Sequence, residues 1–324
     1  MATALPLRAA LTRGALIALA NWPIVLIDFA VESLFKLALA VPVVGGAFMV
    51  AVLVGADIES LFAEGMRSAA ELVVSALVNA PVALTSFLVA VASVAVGGSL
   101  VMFLIKVGTL SVLIAGERRA AEIQDVPLRY DILAETYVYD LSTLLAGIRH
   151  FGRRAMRLSL WLSAAYAVVA FGYIESLGAA FRLAERPAWG AAWPLLVVLA
   201  TSVAALAITV VNLAYDLVRI IMIGDDCGLR PAAAHLWSFL IEDARQVVGI
   251  LAVVGALVAL AASASLLVAG GLALVAWVPV VGLIVVPLQA AAWLIRGLLF
   301  QYMGLSALAA YQTQYRRFAA ASNR

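Results

Sequence analysis

Fifty consecutive residues, Gln246–Ile295, contain no Asp, Glu, Lys, Arg or His. As one helix this run would be about 75 Å long at 1.5 Å per residue, against a bilayer hydrocarbon core of about 30 Å. It must therefore fold back on itself inside or beside a membrane. Gly270-Gly271 is the predicted turn, because glycine accepts turn dihedrals without a Cβ clash. Four further uncharged runs, Leu37–Ala56, Leu72–Ile105, Leu158–Ile174 and Pro187–Tyr215, are each close to or beyond the length that crosses a bilayer. The chain as a whole is 65% hydrophobic and 12% charged, where soluble domains average roughly 45–50% and 25%. A soluble core has no use for so much apolar surface.

These runs predict an all-α, polytopic transmembrane bundle of about six spans, near 24–54, 82–115, 158–181, 191–223, 247–269 and 279–310. Residues 1–324 read as a single integral membrane domain arranged as three αα-hairpins with surface helices between them. Val41-Pro42-Val43-Val44-Gly45 recurs as Val278-Pro279-Val280-Val281-Gly282. Each copy either kinks a helix or opens a re-entrant turn. Leu72–Asn79 is a candidate short interfacial helix. A threefold repeat is hinted at by Gly108-Thr109-Leu110-Ser111 and Gly304-Leu305-Ser306 in the second and sixth spans.

An even number of spans puts both termini on one side. That side collects Arg8, Arg13, the arginines of 118–157, Arg230, Arg245, Arg316, Arg317 and Arg324. The other has Arg67, Arg182 and Arg186. The positive-inside rule then predicts cytoplasmic termini in a plasma or inner membrane. The apolar stretch after Arg8 and Arg13 continues past Ala18-Leu19-Ala20, so the start reads as retained, not as a cleaved leader.

The segment 117–157 is the most polar. Leu141, Leu144, Leu145, Ile148, Phe151 and Ala155 share one helical face, and Arg149, His150, Arg153, Arg154 and Arg157 the other. Arg149, Arg153, Arg154 and Arg157 are the candidate contacts for anionic lipid headgroups, each contributing roughly 1 kcal/mol near such a leaflet. An ordinary positive-inside anchor has the same pattern.

Charges inside spans cost about 2.5–3.5 kcal/mol or more at the bilayer centre. Asp28, Glu32, Lys36, Lys106, Glu175, Asp216, Arg219 and Arg296 form the candidate intramembrane polar site. Asp28, Glu32 and Lys36 lie at i, i+4, i+8, and Asp216 and Arg219 at i, i+3, so local pairing is expected there. Lys106, Glu175 and Arg296 have no such neighbour. They must pair across helices, reach water or line a path.

Several chemistries find no support. A single cysteine, Cys227, forms no intramolecular disulfide. The two histidines, His150 and His235, fall in polar segments, so neither a bis-His haem in the bilayer nor a histidine metal site is expected. Asp225-Asp226 with Glu242-Asp243 reads as a loop and a helix start rather than a cation site. A net charge of +2 gives no reason to expect a nucleic-acid partner. Tyr215-Asp216 and Gly224-Asp225 are similar to the paired aspartates of presenilin-like proteases. However, Met222 replaces the leading glycine and both acids fall at the end of one helix. No cofactor is expected. The expectation is transport or lipid handling through embedded charges, with membrane lipids and other membrane proteins as partners. The alternative is a non-catalytic scaffold or accessory subunit. An enzyme acting on a membrane substrate is a third class.

Overall fold

The computed structural model describes residues 6–54, 80–120, 123–124, 130–184, 193–276 and 279–322. All elements in it are helices: α1 (Leu7–Ala20), α2 (Trp22–Val54), α3 (Pro81–Arg119), α4 (Tyr130–Glu135), α5 (Leu141–Ala184), α6 (Trp193–Gly224), α7 (Leu229–Ala276) and α8 (Pro279–Ser322). Within α3, α5, α6, α7 and α8 lie stretches long and apolar enough to cross a membrane. The 33-residue α2 is of comparable length. The chain is thus an all-helical, multi-pass membrane protein. The candidate helix at Leu72–Asn79 and the acidic residues Asp57, Glu59, Glu64 and Glu71 lie outside the described residues.

One expectation about a helix break is corrected. The glycine pair Gly270-Gly271 does not turn the chain. Helix α7 runs through it to Ala276, and α8 starts at Pro279. In hydrocarbon an opened backbone hydrogen bond has no water to replace it, so permissive glycines stay helical. Proline lacks the N–H that a first helical turn leaves unused, and so suits a helix start. The repeated pentapeptide therefore has two outcomes: Pro42 sits inside α2, whereas Pro279 opens α8.

Helix α5 joins two predicted pieces. The basic amphipathic segment and the third span form one 44-residue helix, about 66 Å long. The longest, α7, is two helices joined at Asp243, whose φ of −118° and ψ of 24° leave the helical region.

The chain divides into two compact units: Ile27–Ile105, and Met1–Leu26 with Lys106–Arg324. In the smaller unit α2 and α3 run antiparallel. A Cβ on Gly98 would strike the Phe35 ring and one on Gly46 the Phe87 ring. Eleven positions up one helix match eleven down the other, with each ring seated over a glycine. In the larger unit α5 and α6 pair in the same sense. Tyr173 bonds Thr201 at 3.1 Å, and Phe181 stacks on Trp193 at 5.8 Å, so eight positions up match eight down. Helices α7 and α8 form a further hairpin.

The core of the larger unit sits at one end of its two hairpins, the base. Residues Leu217–Ile223 of α6 and Ala309–Tyr315 of α8 are buried on every side. Around them the base of each descending helix meets the segment that precedes another hairpin. On α3, a Cβ at Gly108 would lie 3.0 Å from the Leu144 carbonyl of α5, and one at Gly147 would meet Ser111 at 2.5 Å. Helix α6 packs on α7. Helix α8 takes α1, whose Ala10, Gly14 and Ala18 form a buried small-residue stripe. A Cβ on Gly14 would lie 2.4 Å from the Ser306 carbonyl. The two fragments that resemble each other in sequence thus both mark close helix crossings. In the apolar windows of the spans at most 11% of the residues are buried. They expose their side chains to the surrounding medium.

Candidate functional site

Three polar features stand out in the larger unit. The first is a buried ion pair between α1 and α3. Arg13 Nε donates to both Glu117 oxygens at 3.1 and 3.2 Å. Its other nitrogens donate to Gln124 Oε1 at 2.9 Å and to the Ala120 carbonyl at 2.8 Å. The two side chains are 9% and 5% exposed. Arg316 of α8 approaches Glu117 at 3.8 Å. Next to it Asn21, fully buried between α1 and α2, donates to the Ile17 and Thr136 carbonyls and accepts from the Val138 and Tyr139 N–H groups. Every polar group of Asn21 is used, as burial requires. These groups fasten the base.

The second is the turn between α6 and α7. Asp226 holds a φ of 48°, a left-handed conformation that aspartate tolerates better than most residues. Four helices clamp it. Arg118 donates to the Gly224 carbonyl at 2.8 Å. Arg154 donates to Asp226 at 2.5 Å, and His150 lies 3.1 Å from the same carboxylate. Tyr315 donates to Asp225, which lies 3.5 Å from His235 Nδ1. The Arg154 and His150 hydrogen bonds hold the Asp226 carboxyl below the usual carboxylate range. Partial burial, followed by the nearby Asp225 charge, pushes the Cys227 thiol up, away from the reactive thiolate. Both histidines of the chain are thus engaged at this turn. Among the described residues no cluster of His, Cys, Asp and Glu could hold a metal ion.

The third feature is the set of charges along the spans. In the smaller unit Glu32 and Lys36 pair at 2.6 Å and Asp28 is buried. In the larger unit Arg219, 2% exposed, donates to Asp216 at 2.8 Å and lies over the Tyr215 ring at 5.2 Å. Lys106 is half-buried where α3 enters the packed base. Glu175 is exposed toward the far end of α5. Arg296 is exposed near the middle of α8, with its guanidinium 5.5 Å from the Phe300 ring. Among the described residues no ion pair or side-chain hydrogen bond joins Lys106, Glu175 or Arg296 to the Asp216–Arg219 pair.

Two lateral cavities open between hairpin arms. One, about 530 Å³, lies between α5 and α6 and is apolar apart from Tyr173 and Ser176. The other, about 520 Å³, lies between α7 and α8 and includes Ser265, Gln289, Trp293 and Arg296. Of the embedded charges, Arg296 lines the second of these cavities.

The lipid-contact candidates divide. Arg149, Arg153 and Arg157 are exposed, whereas Arg154 is half-buried on Asp226. Of the apolar stripe beside them, Leu144 and Ile148 face Gly108 of α3. At this part of the stripe the neighbour is protein. Sequence reasoning missed the Arg13–Glu117 pair. Arg13 looked like a topogenic charge and Glu117 like the start of a polar connection, and nothing local relates residues 104 positions apart.

Comparison with protein-family models, curated proteins and solved structures finds no match for this chain.

Proposed function

We propose that this chain is a non-enzymatic, six-span protein of the cell membrane that handles anionic lipid, with both termini in the cytoplasm. The carrying observation is Arg296, exposed midway along α8 in a laterally open, mostly apolar cavity of about 520 Å³. An arginine at mid-bilayer costs at least about 2.5–3.5 kcal/mol unless it finds a counter-charge or water. A lipid phosphate drawn into the groove supplies that counter-charge, and its acyl chains lie against Ala261, Ala264, Val268 and Leu272. The volume falls within the range of about 300–1,000 Å³ common for ligand sites. Arg149, Arg153 and Arg157 would concentrate anionic headgroups at the cytoplasmic leaflet. Lipid enters from the side, so no continuous aqueous path is needed.

The test is reconstitution into vesicles with a headgroup-labelled anionic lipid, reading transbilayer exchange by quenching from outside. Wild-type protein accelerates exchange over protein-free vesicles, and Arg296→Gln returns it toward the protein-free rate. Wild-type exchange no faster than in empty vesicles, or an unaffected Arg296→Gln variant, overturns the reading.

A membrane scaffold is the second reading. It is favoured by the span windows, which are at most 11% buried and could seat helices of other membrane proteins. It predicts no lipid exchange, and a defined complex larger than the monomer in mild detergent.

A further inference from the structure

The first half of α7, residues 229–242, carries three different faces. Ala232, Leu236 and Phe239 recur at four and three residues and are 0–8% exposed. Phe239 packs against Tyr315 and Phe318 of α8 with ring centroids 5.6 and 5.3 Å away. A second face carries His235 and Glu242, both exposed, with Ser238 half-buried between them, and Arg245 continues it beyond the break. The third face is open and, after exposed Arg230 in its first turn, apolar: Trp237 is 69% and Ile241 66% exposed, with Ala233, Ala234 and Ala244 beside them.

A helix between protein and water needs only two faces. A third, apolar face holding a tryptophan calls for another medium. Beyond the break at Asp243 the apolar span begins, and its Val248 is 58% exposed. Uncovered apolar surface on a membrane span meets hydrocarbon, and Trp237 and Ile241 lie directly before it in the chain. Indole is apolar in its body and carries one N–H donor, and tryptophan collects where acyl chains meet headgroups.

We infer that residues 229–242 form a membrane-interface helix, with Trp237 and Ile241 inserted at the headgroup–acyl boundary of the leaflet on the terminal side. Ser238 and Glu242 face water, and Ala232, Leu236 and Phe239 dock on α8. The Asp243 break turns an interfacial helix into a spanning one. This assignment is independent of the Arg296 groove, since it needs only a chain that resides in a membrane.

The experiment places a nitroxide in turn at Trp237→Cys, Ile241→Cys, Ser238→Cys and Glu242→Cys, in a Cys227→Ser background reconstituted into vesicles. Collision with oxygen, which partitions into lipid, is compared with collision with a water-soluble nickel chelate. The expected oxygen-to-nickel ratio is several-fold higher at 237 and 241 than at 238 and 242. Nickel-dominated collisions at all four positions overturn the assignment, because the helix then lies in water. Immobile probes at 237 and 241, shielded from both reagents, overturn it too, because a protein surface then covers that face. Oxygen-dominated collisions at 238 and 242 as well place the helix inside the bilayer and refute the interfacial geometry.

Discussion

Replacing Glu117 by leucine takes one carboxylate away from the Arg13 guanidinium buried at the base. Removing one partner of a buried ion pair costs about 3–5 kcal/mol, because the surviving charge is neither solvated nor matched. Arg13 keeps the Gln124 and Ala120 acceptors. The expected loss therefore sits at the low end, about 3 kcal/mol. Arg13→Met is the milder change. Glu117 keeps Arg316 at 3.8 Å. Arg316 is 43% exposed and free to swing inward, so the loss falls to about 2 kcal/mol. The double variant Arg13→Met/Glu117→Leu removes both charges and should return to within about 1 kcal/mol of wild type, since well-packed apolar replacements of ion pairs are often neutral. Unfolding by titrating SDS into mixed micelles, followed by circular dichroism, gives the four corners of the cycle. A coupling of more than about 1.5 kcal/mol is expected for two groups in direct contact. Single variants within about 0.5 kcal/mol of wild type, or a double variant equal to the sum of the singles, refute the claim that this pair fastens α1 to α3.

Adjacent glycines on α3 separate packing from helix propensity. A Cβ on Gly98 lands 2.1 Å from the Phe35 ring, while one on Gly97 meets nothing within 4 Å. Gly98→Ala should cost about 1–3 kcal/mol by overpacking, and Gly97→Ala should be neutral or slightly stabilising, in the same SDS titration. Asp226 titrates below its unfolded value, so its stabilisation is present above the ordinary carboxylate range and is lost as pH falls through the depressed value. Asp226→Asn tolerates the same left-handed backbone. Its melting temperature should fall below wild type at neutral pH and converge with it in acid, and a gap that persists in strong acid would contradict the clamp. Cys227, its thiol pushed up and half-buried, should react with maleimide more slowly in the native protein than in SDS at pH 7. Equal rates would remove it from the packed turn.

The spans were legible because uncharged length is a coarse signal that hydrocarbon enforces. Lys36 and Arg219 found the local partners their spacing implied, since i, i+3 and i, i+4 neighbours meet wherever the helix forms. The turn after α7 was misplaced because glycine propensity, measured in water, says little where backbone hydrogen bonds have no alternative partner. The base was not legible at all. Arg13 and Glu117, Asn21 and Thr136, and Tyr315 and Asp225 join chain positions that no periodicity links. The Trp237 face was hidden for another reason. Residues 229–242 mix two apolar faces with a polar one, so a single-face pattern search averages them away.

In the proposed function lipid, not another protein, fills the cleft between α7 and α8. A diazirine side chain at Trp293, beside Arg296, tests it directly in vesicles of defined lipid composition. Irradiation should add the mass of one phospholipid to the intact chain, with anionic species enriched over their share of the bilayer and the enrichment lost in Arg296→Gln. Crosslinks to a second polypeptide, or lipid adducts in bulk proportion that ignore Arg296, would contradict the account.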